Sequence, residues 1–105
     1  MKPKSIDYSL YLVTDRELAK GRSTQDIVRA AVSGGVTCVQ LREKECSTRE
    51  FIEEALAVKD FLKERGVPLI INDRVDVALA VGADGVHLGQ TDMPLEIAQK
   101  FVCGV

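Results

Sequence analysis

The chain has 105 residues, 46% hydrophobic and 29% charged, which is the balance of one ordinary globular domain rather than of a disordered, fibrous or membrane-spanning chain. Its 14 basic and 16 acidic residues are mixed along the chain and leave a net charge of −2, so no run of like charge points to nucleic acid or a membrane surface. The three cysteines, Cys38, Cys46 and Cys103, lack any CxxC spacing, which argues against a disulfide framework or a zinc site and fits reduced thiols in a cytoplasm.

The opening residues lead into an apolar stretch too short for a secretory signal or a membrane span, so the sequence predicts a soluble, cytoplasmic protein. Leu10 to Thr14 then reads as a first strand. Ser23 follows as a helix N-cap with Asp26 three residues on, and Ile27, Ala30 and Ala31 give helical spacing up to Gly34-Gly35. Cys38 to Leu41 is the second strand. Ser47 and Glu50 form a capping-box pattern ahead of Phe51, Ala55, Val58 and Leu62, which line one face of a second helix ending at Gly66. A third strand is predicted over Leu69 to Ile71, a short helix over Val75 to Val81 stopped by Gly82, and a fourth strand over Gly85 to Leu88. A further helix starts near Pro94. Alternating strand and helix imply parallel strands with right-handed crossovers, so the fold class is α/β.

In such folds ligands gather at the carboxyl ends of the strands. There, Gln40, Arg42 and Lys44 stand at alternate positions and share one face of an extended chain. The planar fork of Arg42 and the mobile charge of Lys44 suit phosphate oxygens, although the same spacing describes a solvated strand end. Asn72-Asp73-Arg74 ends the third strand abruptly; Asp73 reads either as an N-cap for the next helix or as a metal ligand. His87 alternates with Val86 and Leu88 and lies between Gly85 and Gly89, which leave room for a ligand. Gln90 and Asp92 suit a turn as well as a site. Asp15 and Arg16 read as loop residues without a role. Neighbouring parallel strands lie about 5 Å apart, so these ends would meet at one rim, where two carboxylates and two cations make a magnesium-pyrophosphate site.

The segments Leu10-Tyr-Leu-Val-Thr-Asp15, Val39-Gln-Leu-Arg-Glu-Lys44, Ile70-Ile-Asn-Asp-Arg74 and Gly85-Val-His-Leu-Gly-Gln-Thr-Asp92 resemble the thiamine phosphate synthase family in order and separation. The resemblance implies a (β/α)₈-barrel transferase that joins an aminopyrimidine pyrophosphate to a thiazole phosphate, giving thiamine phosphate and pyrophosphate, with Mg²⁺. It implies that Arg42, Lys44 and Asn72 hold the pyrophosphate, that Gln40 and His87 lie beside the pyrimidine, and that Asp73 and Asp92 bind the metal. It also implies a dissociative reaction, in which pyrophosphate leaves before the thiazole nitrogen attacks, so no protein nucleophile is required.

Such barrels need about 250 residues, so residues 1–105 are expected to be one domain holding the first four βα units, the N-terminal half of the barrel. The family's later motifs, which would hold the thiazole phosphate, have no counterpart here. An open four-stranded sheet exposes its edges, which predicts pairing, with two copies completing the sheet through their first and fourth strands. The alternative to a synthase is a non-catalytic half-barrel that binds a thiamine precursor, or one that only assembles with itself or a partner half.

Overall fold

The computed structural model describes residues 6–15, 21–44 and 46–89. Within them four strands, β1 (Tyr11–Val13), β2 (Cys38–Leu41), β3 (Leu69–Asn72) and β4 (Gly85–His87), alternate with three helices, α1 (Thr24–Ser33), α2 (Thr48–Lys63) and α3 (Val75–Val81). The strands form one parallel sheet in the order β1-β2-β3-β4, each beside its neighbour in sequence. Among the described residues the chain therefore winds in one direction across the sheet.

Local chemistry sets the helix starts. Ser23 Oγ accepts the Asp26 N–H at 3.1 Å ahead of α1. Ahead of α2 the capping box is reciprocal: Ser47 Oγ accepts the Glu50 N–H at 3.1 Å, and Glu50 Oε1 accepts the Ser47 N–H at 3.4 Å. Two backbone donors that the helix leaves unpaired are satisfied in this way. The start of α3 departs from the sequence expectation. Its N-cap position falls on Arg74, without a side-chain cap bond, and Asp73 stands one residue earlier at φ 67°. Asp73 is therefore not the cap, because a capping residue takes an extended backbone.

Strand limits shift by a residue or so. β1 is shorter than expected, yet the Leu10 carbonyl accepts the Thr37 N–H at 2.9 Å and the Thr14 N–H donates to Gln40 at 3.0 Å, so both flanks still pair with β2. β3 reaches Asn72, and β4 stops at His87, before Leu88. The helix expected near Pro94 lies outside the described residues.

Alternation along each strand divides the sheet into two faces. Val39, Leu41, Leu69 and Ile71 point one way and join Val28 of α1, Phe51, Ala55, Val58 and Leu62 of α2, and Val77, Ala78 and Val81 of α3 in one core. All three helices therefore cover the same face. Each large side chain buried there contributes about 1.5–3 kcal/mol. The opposite face carries Tyr11, Gln40, Asn72 and His87, linked to one another across the strands. Along the edge, Leu10, Tyr11 and Val13 are exposed. No helix among the described residues is long and apolar enough to cross a membrane.

Candidate functional site

The face opposite the helices carries a row of polar side chains that crosses all four strands. Gln40 is 3% exposed, so both ends of its amide need partners. Its Nε2 donates to Tyr11 Oη at 2.6 Å, and its Oε1 accepts from Asn72 Nδ2 at 2.9 Å. The same Asn72 nitrogen lies 3.4 Å from Nδ1 of His87, its register partner on β4. The row climbs diagonally, since Tyr11 pairs with Cys38 and Gln40 with Ile70, each two residues below the side chain that is bonded. Desolvation pushes the Tyr11 phenol up, so it stays protonated and keeps an O–H to donate. Strand alternation finds Gln40 and His87; it does not flag Tyr11, because a tyrosine in an apolar strand reads as packing.

Above this row the strand ends carry charge. Arg42 follows β2 directly, and its backbone N–H donates to the buried hydroxyl of Thr14 at 3.0 Å, which fixes the chain as it leaves the sheet. Its Nη1 bonds Asp15 Oδ2 at 3.3 Å, with both side chains about one-third exposed. Asp15, a loop residue as expected, is therefore tied to Arg42. The pairing is foreshadowed by register, because Asp15 leaves the strand that neighbours β2. A guanidinium has five N–H donors, so one bond to Asp15 orients Arg42 and leaves the rest of its fork for an anion. Lys44, two residues on, is exposed.

Asp73 sits at the turn out of β3. Its N–H donates to the His87 carbonyl at 2.7 Å, extending the β3–β4 pairing one residue past the strand. The Arg74 N–H then returns to the Asn72 carbonyl at 2.7 Å, and the Val75 N–H to the Asp73 carbonyl at 3.0 Å, giving two successive three-residue turns. With φ at 67°, Asp73 is the one described non-glycine residue in the left-handed region. Such a conformation costs of order 1–3 kcal/mol and persists where surrounding bonds over-determine it. The carboxylate's oxygens are the hard donors that magnesium takes, so Asp73 fits that ion chemically. Asp92, the second expected ligand, lies outside the described residues, as do Gln90 and Cys103. No group of three His, Cys, Asp or Glu side chains able to hold a metal occurs among the described residues. Burial pushes the Cys38 thiol up, which leaves it a poor nucleophile.

The structure thus brings Gln40, Asn72 and His87 into one bonded row, and places Arg42 and Asp73 just beyond the carboxyl ends of β2 and β3. The family model described as thiamine monophosphate synthase matches residues 10–103. The thiamine-phosphate synthase of Albidiferax ferrireducens is 62% identical over 93 residues, covering 89% of this chain and 42% of that protein. The one from Syntrophomonas wolfei is 62% identical over 96 residues, covering 91% and 46%. Among solved structures, a thiamine phosphate pyrophosphorylase from Pyrococcus furiosus superposes with a TM-score of 0.85 at 42% identity, covering 91% of this chain and 46% of that one. The chain spans a little under half the length of these relatives.

Proposed function

Because the chain belongs to the thiamine monophosphate synthase family, we propose that it supplies the pyrophosphate-bearing half of a thiamine phosphate synthase. In this reading residues 1–105 are one domain, the first four βα units of a (β/α)₈ barrel. Support comes from the singly wound strand order with the three described helices on one face, the arrangement a closed barrel requires. Exposed Tyr11 and Val13 on the opposite face suit a barrel interior that further strands cover. The substrates are an aminopyrimidine pyrophosphate and a thiazole phosphate, with the thiazole site in the other half, and the reaction takes place in the cytoplasm.

The observation that carries the reading is the convergence of Arg42, Asn72, Asp73 and His87 at one rim of the sheet. Arg42 and Lys44 meet the leaving pyrophosphate with charge-assisted hydrogen bonds that strengthen as its negative charge grows. Asn72 adds an amide donor. The contact it would redirect to the anion is the 3.4 Å approach to His87, the longest in the row. Gln40, deeper on the sheet face, and His87, level with Asn72 on the next strand, hold the pyrimidine ring, with Tyr11 fixing the Gln40 amide. Asp73 and Asp92 would hold magnesium, which when bound would supply positive charge against the leaving pyrophosphate. Charge stabilisation and positioning account for the reaction without a protein nucleophile.

The test is turnover of the two substrates to thiamine phosphate by the intact protein that contains this chain. Arg42→Ala is expected to lower kcat/KM about 10- to 100-fold, the effect of losing a hydrogen bond to a charged group. An unchanged kcat/KM would remove Arg42 from the site. Binding of the pyrimidine pyrophosphate without turnover would instead favour the non-catalytic half-barrel.

A further inference from the structure

Arg74 follows Asp73, and its cationic head is directed at protein groups. Nε donates to Asp76 Oδ1 at 3.0 Å and Nη2 to Asp76 Oδ2 at 2.8 Å, a two-pronged grip on the first turn of α3. The same Nη2 donates to Thr48 Oγ1 at 2.8 Å. Thr48 is the first residue of α2, 26 positions away in sequence, and it ends the loop that carries Lys44. One guanidinium therefore joins the loop after β2 to the turn after β3. This bridge spans the two connections that carry the proposed pyrophosphate cation and the proposed metal carboxylate.

We propose that Arg74 is a positioning residue, which through Asp76 and Thr48 holds the Asp73 turn and the Lys44 loop at the separation that a magnesium-pyrophosphate pair requires. The proposal rests on the function proposed above. The turn needs such a brace, because Asp73 stands at φ 67° and α3 lacks a side-chain cap at its start. A glycine, with no β-carbon, would hold a left-handed turn at no steric cost, whereas aspartate holds it against some strain. A lysine at position 74 would supply charge without the planar fork, so it would reach Asp76 or Thr48 but not grip both in this geometry. Arg74 makes three side-chain bonds within the protein, through Nε and Nη2, where Arg42 makes one, to Asp15.

The experiment is calorimetric titration of Mg²⁺ into the intact protein that contains this chain, in the presence of inorganic pyrophosphate, with the thermal midpoint recorded for every variant. Thr48 is exposed, so its substitutions leave the core intact. Thr48→Val removes the hydroxyl and keeps the shape; it is expected to raise the Mg²⁺ midpoint threefold or more. Thr48→Ser restores the hydroxyl and is expected to return the midpoint to within twofold of the unaltered chain. Arg74→Lys should raise the midpoint at least as far as Thr48→Val. Midpoints that stay together across the three variants while thermal stability falls would show a purely structural bridge and overturn the proposal. A Thr48→Ser chain as weak as Thr48→Val would overturn it as well. Failure of the unaltered chain to bind Mg²⁺ and pyrophosphate would strike the functional reading itself, before any variant is compared.

Discussion

The two ends of the sheet solve the same turning problem with opposite materials. At the amino ends of the strands, the chain leaves its helices through glycine: Gly66 and Gly82 take φ of 68° and 67°, and Gly82 caps α3 in the left-handed conformation. Side chains there serve the backbone. Asp84 Oδ2 accepts the Leu69 N–H at 2.9 Å, Thr37 Oγ1 accepts the Leu10 N–H at 3.1 Å, and Lys59 Nζ donates to the Val81 carbonyl at 2.7 Å. At the carboxyl ends, the left-handed position is filled by Asp73, and side chains bond chiefly to one another in the Tyr11-Gln40-Asn72-His87 row. One rim minimises strain and leaves few polar groups over, while the other accepts strain to display a carboxylate. The division matches the rule that the amino-end face of such folds serves stability and the carboxyl-end face serves chemistry.

Substitutions at each rim should move different observables. Asp84→Ala is expected to cost about 1–3 kcal/mol, because it orphans the Leu69 N–H beside the core; chemical denaturation measures the loss, and ligand binding should not change. A strong loss of pyrophosphate binding in that variant would break the division between the rims. Gly82→Ala is expected to cost about 1–2 kcal/mol for an L-residue in the left-handed region. Its new β-carbon would also meet Lys59 Nζ at 3.0 Å, a contact the flexible lysine relieves by giving up its bond to Val81. Asp73→Gly should behave in the opposite sense, gaining about 1 kcal/mol by releasing backbone strain while abolishing Mg²⁺-dependent pyrophosphate binding. A destabilised Asp73→Gly chain would show that the turn is not strained.

The smallest effect concerns pH. Hydrogen bonds from Arg74 hold the Asp76 carboxyl below the ordinary aspartate range. A depressed folded value means that this contribution is fully present above the ordinary aspartate pKa and is lost as pH falls through the lowered one. Thermal midpoints of the unaltered chain and Asp76→Asn should therefore converge on acidification. Midpoints that stay equally far apart at every pH would detach Asp76 from the bridge.

Much of the framework was legible from local pattern. Ser23, Ser47 and Glu50 act within one helical turn, so their spacing suffices, and the buried stripe Phe51, Ala55, Val58 and Leu62 follows from helical periodicity alone. Gln40 and His87 were legible because alternation sets their face, and Asn72 because the third strand turns abruptly from apolar to polar there. The conformation of Asp73 was not: an aspartate between strand and helix has the composition of a cap, and the bond from its N–H to the His87 carbonyl depends on a strand 14 residues away. Tyr11 and Asp15 gained their roles from register with β2, and Thr48 from a contact with Arg74 across 26 residues. Pairings of this kind depend on where strands and helices are laid against one another, which no single segment encodes.

His87 has one more use. It is the chain's sole histidine, and its Nδ1 ends the bonded row while its ring is exposed. Uniform nitrogen labelling therefore yields a single imidazole spin system with no assignment problem. Which ring nitrogen carries the proton, and how that changes when an anion or a pyrimidine arrives, becomes readable at the β4 end of the row in a chain otherwise left unaltered.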